Sequence, residues 1–295
     1  MKRYYEIAGV TICVSGKDEE MYVDERLLAY FKVNSENIDS IAETEEIFQF
    51  DFSLQDKLSK NAGECVFLDS SRRIYIDGET EIRYIGSVLE EVNHAYLRTE
   101  KSGKNVFVQA LRSKVSERIS SKIVLNALAM ERLALEGDGV VLHASYVVWN
   151  GRAILFTAPS GIGKSTQAQL WKELRGAEII NGDRAILRRA NGLLFACGLP
   201  FAGSSNDCKN VTAPLMAIVY LGQSEETQIQ KLSGGQAFRR VWEGCSVASW
   251  CSEDVQKAMS IVQDVTVHVP VYYLNCTPDE SAVVALGNEL GKDEK

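Results

Sequence analysis

The run Ala158-Pro159-Ser160-Gly161-Ile162-Gly163-Lys164-Ser165-Thr166 has the residue types needed to hold a polyphosphate. Gly161 and Gly163 let the backbone curl so that successive N–H groups point at phosphate oxygens, and a helix opening at Lys164 adds the partial positive charge of its N-terminus. Lys164 would reach the β- and γ-phosphates, and Ser165 offers a hydroxyl to a bridging Mg²⁺. The segment from Ser160 to Thr166, with Ile162 among its members, is therefore the expected nucleotide cradle. Ala158 stands where the pattern G-x-x-x-x-G-K-[ST] has its first glycine, so that position is expected to have an ordinary backbone conformation.

Such a site needs a carboxylate for the metal, delivered by a strand after the loop helix. Glu178-Ile179-Ile180-Asn181-Gly182-Asp183-Arg184 ends an apolar run at an acid. Asp183 is thus the expected metal ligand or water-mediated metal contact, and a candidate base for a hydroxyl proton; a turn aspartate after Gly182 is the bland alternative. Arg184 either neutralises phosphate or is solvated. His143, in Leu142-His143-Ala144-Ser145, lies on the strand before the one that feeds the loop. A hairpin between the two brings it near the phosphates as a donor or acid/base, though a lone His among apolar residues also reads as core. The small, polar segment 198–210 suits wrapping a ligand or merely connects strands. Arg239-Arg240 reads first as a solvated helical charge pair.

The elements that must position these residues are legible in the pattern. Residues 153–157 form a continuous apolar strand leading into the loop, and a helix is expected over 164–175, with Ala168, Trp171 and Leu174 or Leu170 as its apolar stripe. Asn150-Gly151 joins residues 140–149 to 153–157 as a hairpin, which excludes a membrane span over this apolar stretch. Further strands are expected at 178–180, 185–190, 193–197, 215–221 and 269–275, and helices at 235–244, 253–262 and 278–290. Ahead of this α/β region, strand-like runs at 4–14, 47–52, 65–68, 74–76, 81–85, 96–99 and 105–111 predict a smaller β-rich domain. Val115, Ile119, Ile123, Ala127, Met130 and Ala134 share one helical face, so a linking helix is expected over 113–138, between domains at 1–112 and 139–295.

Composition sets the outer bounds. The 295 residues, 45% hydrophobic and 24% charged with five prolines, exclude a disordered or low-complexity chain and match two domains. A net charge of −8 with no basic face argues against a nucleic-acid partner. Seven scattered cysteines without a Cys-x-x-Cys pair fit reduced thiols. The chain opens Met1-Lys2-Arg3-Tyr4-Tyr5-Glu6 with no apolar signal, and a cytoplasmic location with no membrane partner is the expectation.

The unit from Leu142-His143-Ala144 through the phosphate loop to Ile179-Ile180-Asn181-Gly182-Asp183 resembles the C-terminal catalytic domain of HPr kinase/phosphorylase, whose nucleotide-binding core is shared with phosphoenolpyruvate carboxykinases. The resemblance covers about residues 139–290, including 269–274, and fades over the first ~130. It implies a mixed-sheet α/β P-loop kinase domain that uses ATP and Mg²⁺ to phosphorylate a hydroxyl, with His143 near the site. Asp183, Lys164 and His143 are then the catalytic candidates, and Ser165 and Asp183 the metal ligands. This chain departs from that family at Thr166, where the family has glutamate, and at Gly182-Asp183, where it has two aspartates. The expected acceptor is a hydroxyl-bearing peptide or small molecule, and HPr itself is not. The resemblance admits a homo-oligomer, for which no residue marks an interface. An ATP-binding switch or assembly protein without phosphotransfer is the alternative.

Overall fold

The computed structural model describes residues 2–16, 31–33, 47–60, 63–87, 92–100, 103–114, 129–201 and 207–292. The chain divides into two compact units, Met1–Leu133 and Ala134–Lys295. Each carries one mixed sheet.

The first unit contains β1 (Lys2–Ile7), β2 (Val10–Ser15), β3 (Phe48–Gln55), β4 (Glu64–Leu68), β5 (Arg72–Asp77), β6 (Thr80–Ser87), β7 (Val92–Thr99) and β8 (Asn105–Leu111). Their order in the sheet is β1-β2-β3-β8-β7-β6-β5-β4. The β2–β3 and β3–β8 pairs are parallel and the others antiparallel. In β3 Phe48, Phe50, Phe52 and Leu54 are buried while Gln49, Asp51, Ser53 and Gln55 alternate with them on the more open face. The single run expected over 4–14 is in fact a hairpin, turned at Ala8 (φ 50°) and Gly9 (φ 76°). A tight turn with both central residues at positive φ matches strand twist, but Ala8 gives no turn signal.

Of the expected linking helix, Val115, Ile119, Ile123 and Ala127 lie outside the described residues. Within its span lies α1 (Met130–Glu136), where Met130 and Ala134 are buried as the spacing predicts, but Ala129 has φ 47°, outside helical geometry, so the single helix expected over 113–138 is not continuous through that residue.

The second unit runs β9 (Gly139–Trp149), β10 (Arg152–Thr157), α2 (Lys164–Arg175), β11 (Glu178–Asn181), β12 (Arg184–Ala190), β13 (Leu193–Cys197), β14 (Thr212–Gln223), β15 (Gln228–Leu232), α3 (Gly234–Trp242), β16 (Cys245–Ser246), α4 (Ser252–His268), β17 (Val271–Cys276) and α5 (Glu280–Lys292). Two long strands organise it. The first part of β9 pairs with β12 and β16, and its second part with β10 and β11. β14 pairs antiparallel with β13 at its start, then parallel with β10 and β17. The β9–β10 turn is Asn150-Gly151, both at positive φ.

β10 is buried on both faces, which explains its unbroken apolar run. Ala153 and Leu155 face a core shared with α3 and α4 (Ala237, Val241, Ala258, Ile261), and Ile154 and Phe156 face one shared with α2 and α5 (Ala168, Trp171, Ala282, Leu286). The α/β expectation therefore holds as a mixed α/β architecture. Of the two leucines offered for the α2 stripe, Leu170 packs against the core beside Ala168 and Trp171 while Leu174 is exposed, and Gln167, not expected there, is buried. The short strands β15 and β16 were not foreseen. No described helix is long and apolar enough to cross a membrane.

Candidate functional site

The strands β10, β14 and β17 run parallel, and their carboxyl ends lie side by side, Thr157 beside Tyr220 and Tyr220 beside Tyr273. In open α/β sheets this is the end that receives ligands. The loop 158–163 leaves β10 here, and α2 begins at Lys164. Gly161 (φ 84°) and Gly163 (φ 121°) adopt conformations that side chains disfavour, whereas Ala158 is not at positive φ. Gly163 caps α2 without a side chain, and the helix's first turn has no acid. The first turn of α2 thus brings no anion of its own to these amides, which suits them to receiving one from solution.

Lys164 is buried, with Nζ donating to Ala158 O at 3.0 Å and Pro159 O at 3.3 Å. Burial pushes its pKa below the ordinary lysine value; Asp183 partly offsets this and Arg184 adds to it. Ser160, Gly161, Ser165 and Thr166 are exposed, while Ile162 is half-buried against the α2–α5 core and its carbonyl accepts from Gln223 Nε2 at 3.4 Å.

Asp183 sits in the turn between β11 and β12. Gly182 O, next to it, accepts from Ser145 Oγ at 2.8 Å and from Ser165 Oγ at 3.4 Å, so the loop helix and the Asp183 turn meet. His143 Nε2 lies 3.4 Å from Asp183 Oδ1, and Arg184 Nε lies 3.2 Å from Oδ2. Burial pushes the Asp183 carboxyl up, but the hydrogen bond from His143 and the charges of Arg184, His143 and Lys164 outweigh it and hold it below the usual aspartate range. The fold thus brings Lys164, Ser165, Asp183 and His143 together. β9 does this for His143: its partner across β12 is Arg184, and its carbonyl accepts from the buried Thr157 Oγ1 at 2.9 Å.

A cavity of about 460 Å³ opens beside the start of the loop. Its polar walls include His143, Arg184, Glu243 and Ser246. Gly244 closes one side, and a Cβ there would lie 2.8 Å from Thr157 Oγ1, so the backbone approaches the strand ends as only glycine allows.

Several contributors escaped the sequence reading. Asn181 is fully buried: its Oδ1 accepts from Asp183 N and Arg184 N, both at 2.9 Å, and its Nδ2 donates to Leu199 O and Phe201 O. The signal was present, since an Asn at the end of an apolar strand before Gly-Asp is suited to such a turn. Arg239 and Arg240 both pair with Glu243, but they differ. Arg239 is solvated as expected, whereas the Arg240 guanidinium covers the Tyr220 ring at 4.6 Å. Segment 198–210 is described only in part, residues 202–206 lying outside the described residues. His268 ends α4, bonded to Asp264 O, and does not enter the site.

The donors suit Mg²⁺. One hydroxyl and one carboxylate, both beside Gly182, are hard oxygen ligands, and this ion uses few protein ligands beside phosphate and water. Among the described residues no three His, Cys, Asp or Glu side chains cluster as a metal cage.

No curated protein matches the chain. Among solved structures it is similar to the Hpr(Ser) kinase/phosphatase from Coxiella burnetii, with 13% identity and a TM-score of 0.33 over 52% of this chain and 93% of that one. The model of the SynChlorMet cassette protein ScmC family matches residues 111–278, more than half of the 295, and the chain belongs to that family.

Proposed function

We propose that the chain is an ATP- and Mg²⁺-dependent phosphotransferase whose acceptor is a hydroxyl, on a peptide or a small metabolite. The observation that carries this reading is the meeting of two chemistries at Gly182: the loop helix, with Lys164 and Ser165, and the Asp183–His143 pair. A nucleotide switch would use the same carboxylate for its metal; the imidazole of His143 on that carboxylate is the part that favours proton handling and phosphoryl transfer.

In this reading the loop amides from Ser160 to Thr166 and the Lys164 ammonium hold the β- and γ-phosphates of ATP. Ser165 and Asp183 hold Mg²⁺, which when bound neutralises charge on the phosphate oxygens. Asp183 also accepts the proton of the acceptor hydroxyl; that oxygen forms its bond to the γ-phosphorus as the bond to the β-phosphate oxygen breaks, leaving ADP. His143 orients the carboxylate through Nε2. Positioning and charge neutralisation supply most of the catalysis in such transfers.

The test is incubation of the full chain with γ-labelled ATP and a soluble extract, peptide and metabolite fractions being separated afterwards. Label on a hydroxyl compound with the unmodified protein and none with Lys164→Ala is the expected result. Tight ATP binding with no labelled acceptor in either fraction would replace this reading with the nucleotide switch.

A further inference from the structure

The cavity beside the loop is lined by a cation that makes few directed hydrogen bonds among the described residues. Its lining starts at Thr157, Ala158 and Pro159 and runs away from the phosphate loop to Glu243, Gly244, Cys245 and Ser246; none of Ser160 to Thr166 lines it. It is therefore adjacent to the phosphate cradle without being part of it. Of its charged walls, Glu243 is engaged by hydrogen bonds from Arg239 (3.0 Å) and Arg240 (3.3 Å). Arg184 differs.

An arginine has five N–H donors, and a well-matched one directs them in pairs at carboxylates. Arg189 in the same unit shows this, with Nε and Nη2 on Asp138 and Nη1 on Asp264. For Arg184 the directed bond among the described residues is from Nη1 to a neutral oxygen, Ser246 Oγ, at 3.1 Å. Its Nε is 3.2 Å from Asp183 Oδ2 but buried without a hydrogen-bond partner among the described residues, so the geometry for a bond to Asp183 is missing. The guanidinium is nevertheless held in place, with the Phe201 ring at 5.1 Å on one face and Ser246 at one edge. A cation fixed by stacking and left short of acceptors is arranged for an acceptor that arrives with a ligand.

We propose that this cavity is the acceptor pocket and that its acceptor carries an oxyanion, a carboxylate or phosphate group near the hydroxyl to be phosphorylated, which docks on Arg184. The inference rests on the phosphotransferase reading for the word acceptor, but the oxyanion site does not. At about 460 Å³ the cavity lies within the range of small-ligand pockets and admits a compact hydroxylated acid or the end of a peptide. The phosphate loop is the other place where an oxyanion could dock, and the variants below separate the two.

The probe is sulfate, titrated into the full chain without nucleotide and followed by the backbone amide signals of Gly244, Cys245 and Ser246 in NMR spectra. Saturable shifts are expected in the unmodified protein and equally in Lys164→Ala, which removes the cation of the phosphate loop. Arg184→Gln should weaken the apparent affinity about tenfold or abolish the shifts, the value of one charge-assisted hydrogen bond pair. Arg184→Lys should restore part of it, which a merely misfolded variant would not. Three results would overturn the proposal: no shift in the unmodified protein, shifts unaffected by Arg184→Gln, or shifts lost in Lys164→Ala and kept in Arg184→Gln, which would place the anion in the loop. Because no nucleotide is present, failure here leaves the phosphotransferase reading standing, and failure to label any acceptor leaves the oxyanion site standing.

Discussion

Each unit of the chain contains a carboxylate–guanidinium network, and the two are built to opposite ends. In the β-rich unit Arg83 is 1% exposed and donates from Nε to Glu81 and from Nη1 to Glu131, both at 2.5 Å. Arg132 and Arg72 add further contacts to the same acids. Burial pushes the Arg83 pKa down, yet Glu131 and Glu81 raise it far above its ordinary value, and the same guanidinium outweighs burial at Glu131 and lowers its pKa. In the α/β unit His143, Asp183 and Arg184 are 31%, 25% and 27% exposed, and their contacts are 3.2–3.4 Å long. The first network is closed to solvent and fixes the start of α1 against the sheet. The second is open at a cavity. Charges that are dry and directed at one another serve the fold, whereas the same residue types left half wet and imperfectly aimed remain available to a ligand.

That contrast can be broken most severely at Asp183. Asp183→Asn keeps shape and removes charge, and phosphate transfer from labelled ATP should fall roughly 10³-fold or more while nucleotide binding stays measurable. A near-normal rate would remove Asp183 from the chemistry. In the closed network the counterpart is Arg83→Met, which removes the buried cation shared by Glu81 and Glu131 and should cost about 3–5 kcal/mol in the urea unfolding of that unit. ATP affinity of the folded protein should not change; a parallel loss of binding would mean the buried network serves the site as well.

Asn181 stands between the two types, buried like the first network and placed to serve the second. Asn181→Ala removes acceptors for Asp183 N and Arg184 N and donors for two loop carbonyls. A loss of about 2–3 kcal/mol in stability is expected, together with a lower kcat and little change in the KM for ATP. An unchanged kcat would make it purely structural. A smaller effect is expected at Ser165→Ala, where Mg²⁺-dependent nucleotide affinity should fall about tenfold, a hydroxyl ligand being one of several. Unchanged metal dependence would exclude Ser165 as a ligand.

The open site was far more legible than the closed network, for a physical reason. A backbone that curls through positive φ demands glycines, and Gly161 and Gly163, next to Lys164, announce this in one continuous stretch. The Asn150-Gly151 turn likewise fixed His143 on the strand beside the loop's own. Arg83, Glu81 and Glu131 come together only through the pairing of β6 and the packing of α1, and no local spacing encodes that. Edge strand β15, Gln228–Leu232, has its two apolar residues, Ile229 and Leu232, three positions apart and so out of step with strand alternation, and it does not stand out from a connecting loop. Gln167 was passed over because a polar residue on an amphipathic helix reads as solvent-facing, yet its Nε2 reaches Cys276 Sγ at 3.5 Å inside the core.

The smallest expected effect is on stability at Lys164, and it runs against intuition. Its folded-state pKa is depressed, chiefly by burial, so the unfolded chain holds this proton to higher pH than the folded one. Where the unfolded state binds more protons, stability rises with pH. The charged ammonium therefore burdens the fold below its folded pKa, and the burden is relieved as pH climbs through the depressed value toward the unfolded value of about 10.4. Lys164→Met should accordingly raise the Tm of the nucleotide-free protein at neutral pH, with the gain shrinking above that window, while ATP affinity collapses. A lower Tm at pH 7 would show that the bonds to Ala158 O and Pro159 O contribute more than desolvation costs, and that this lysine belongs with the closed kind of network after all.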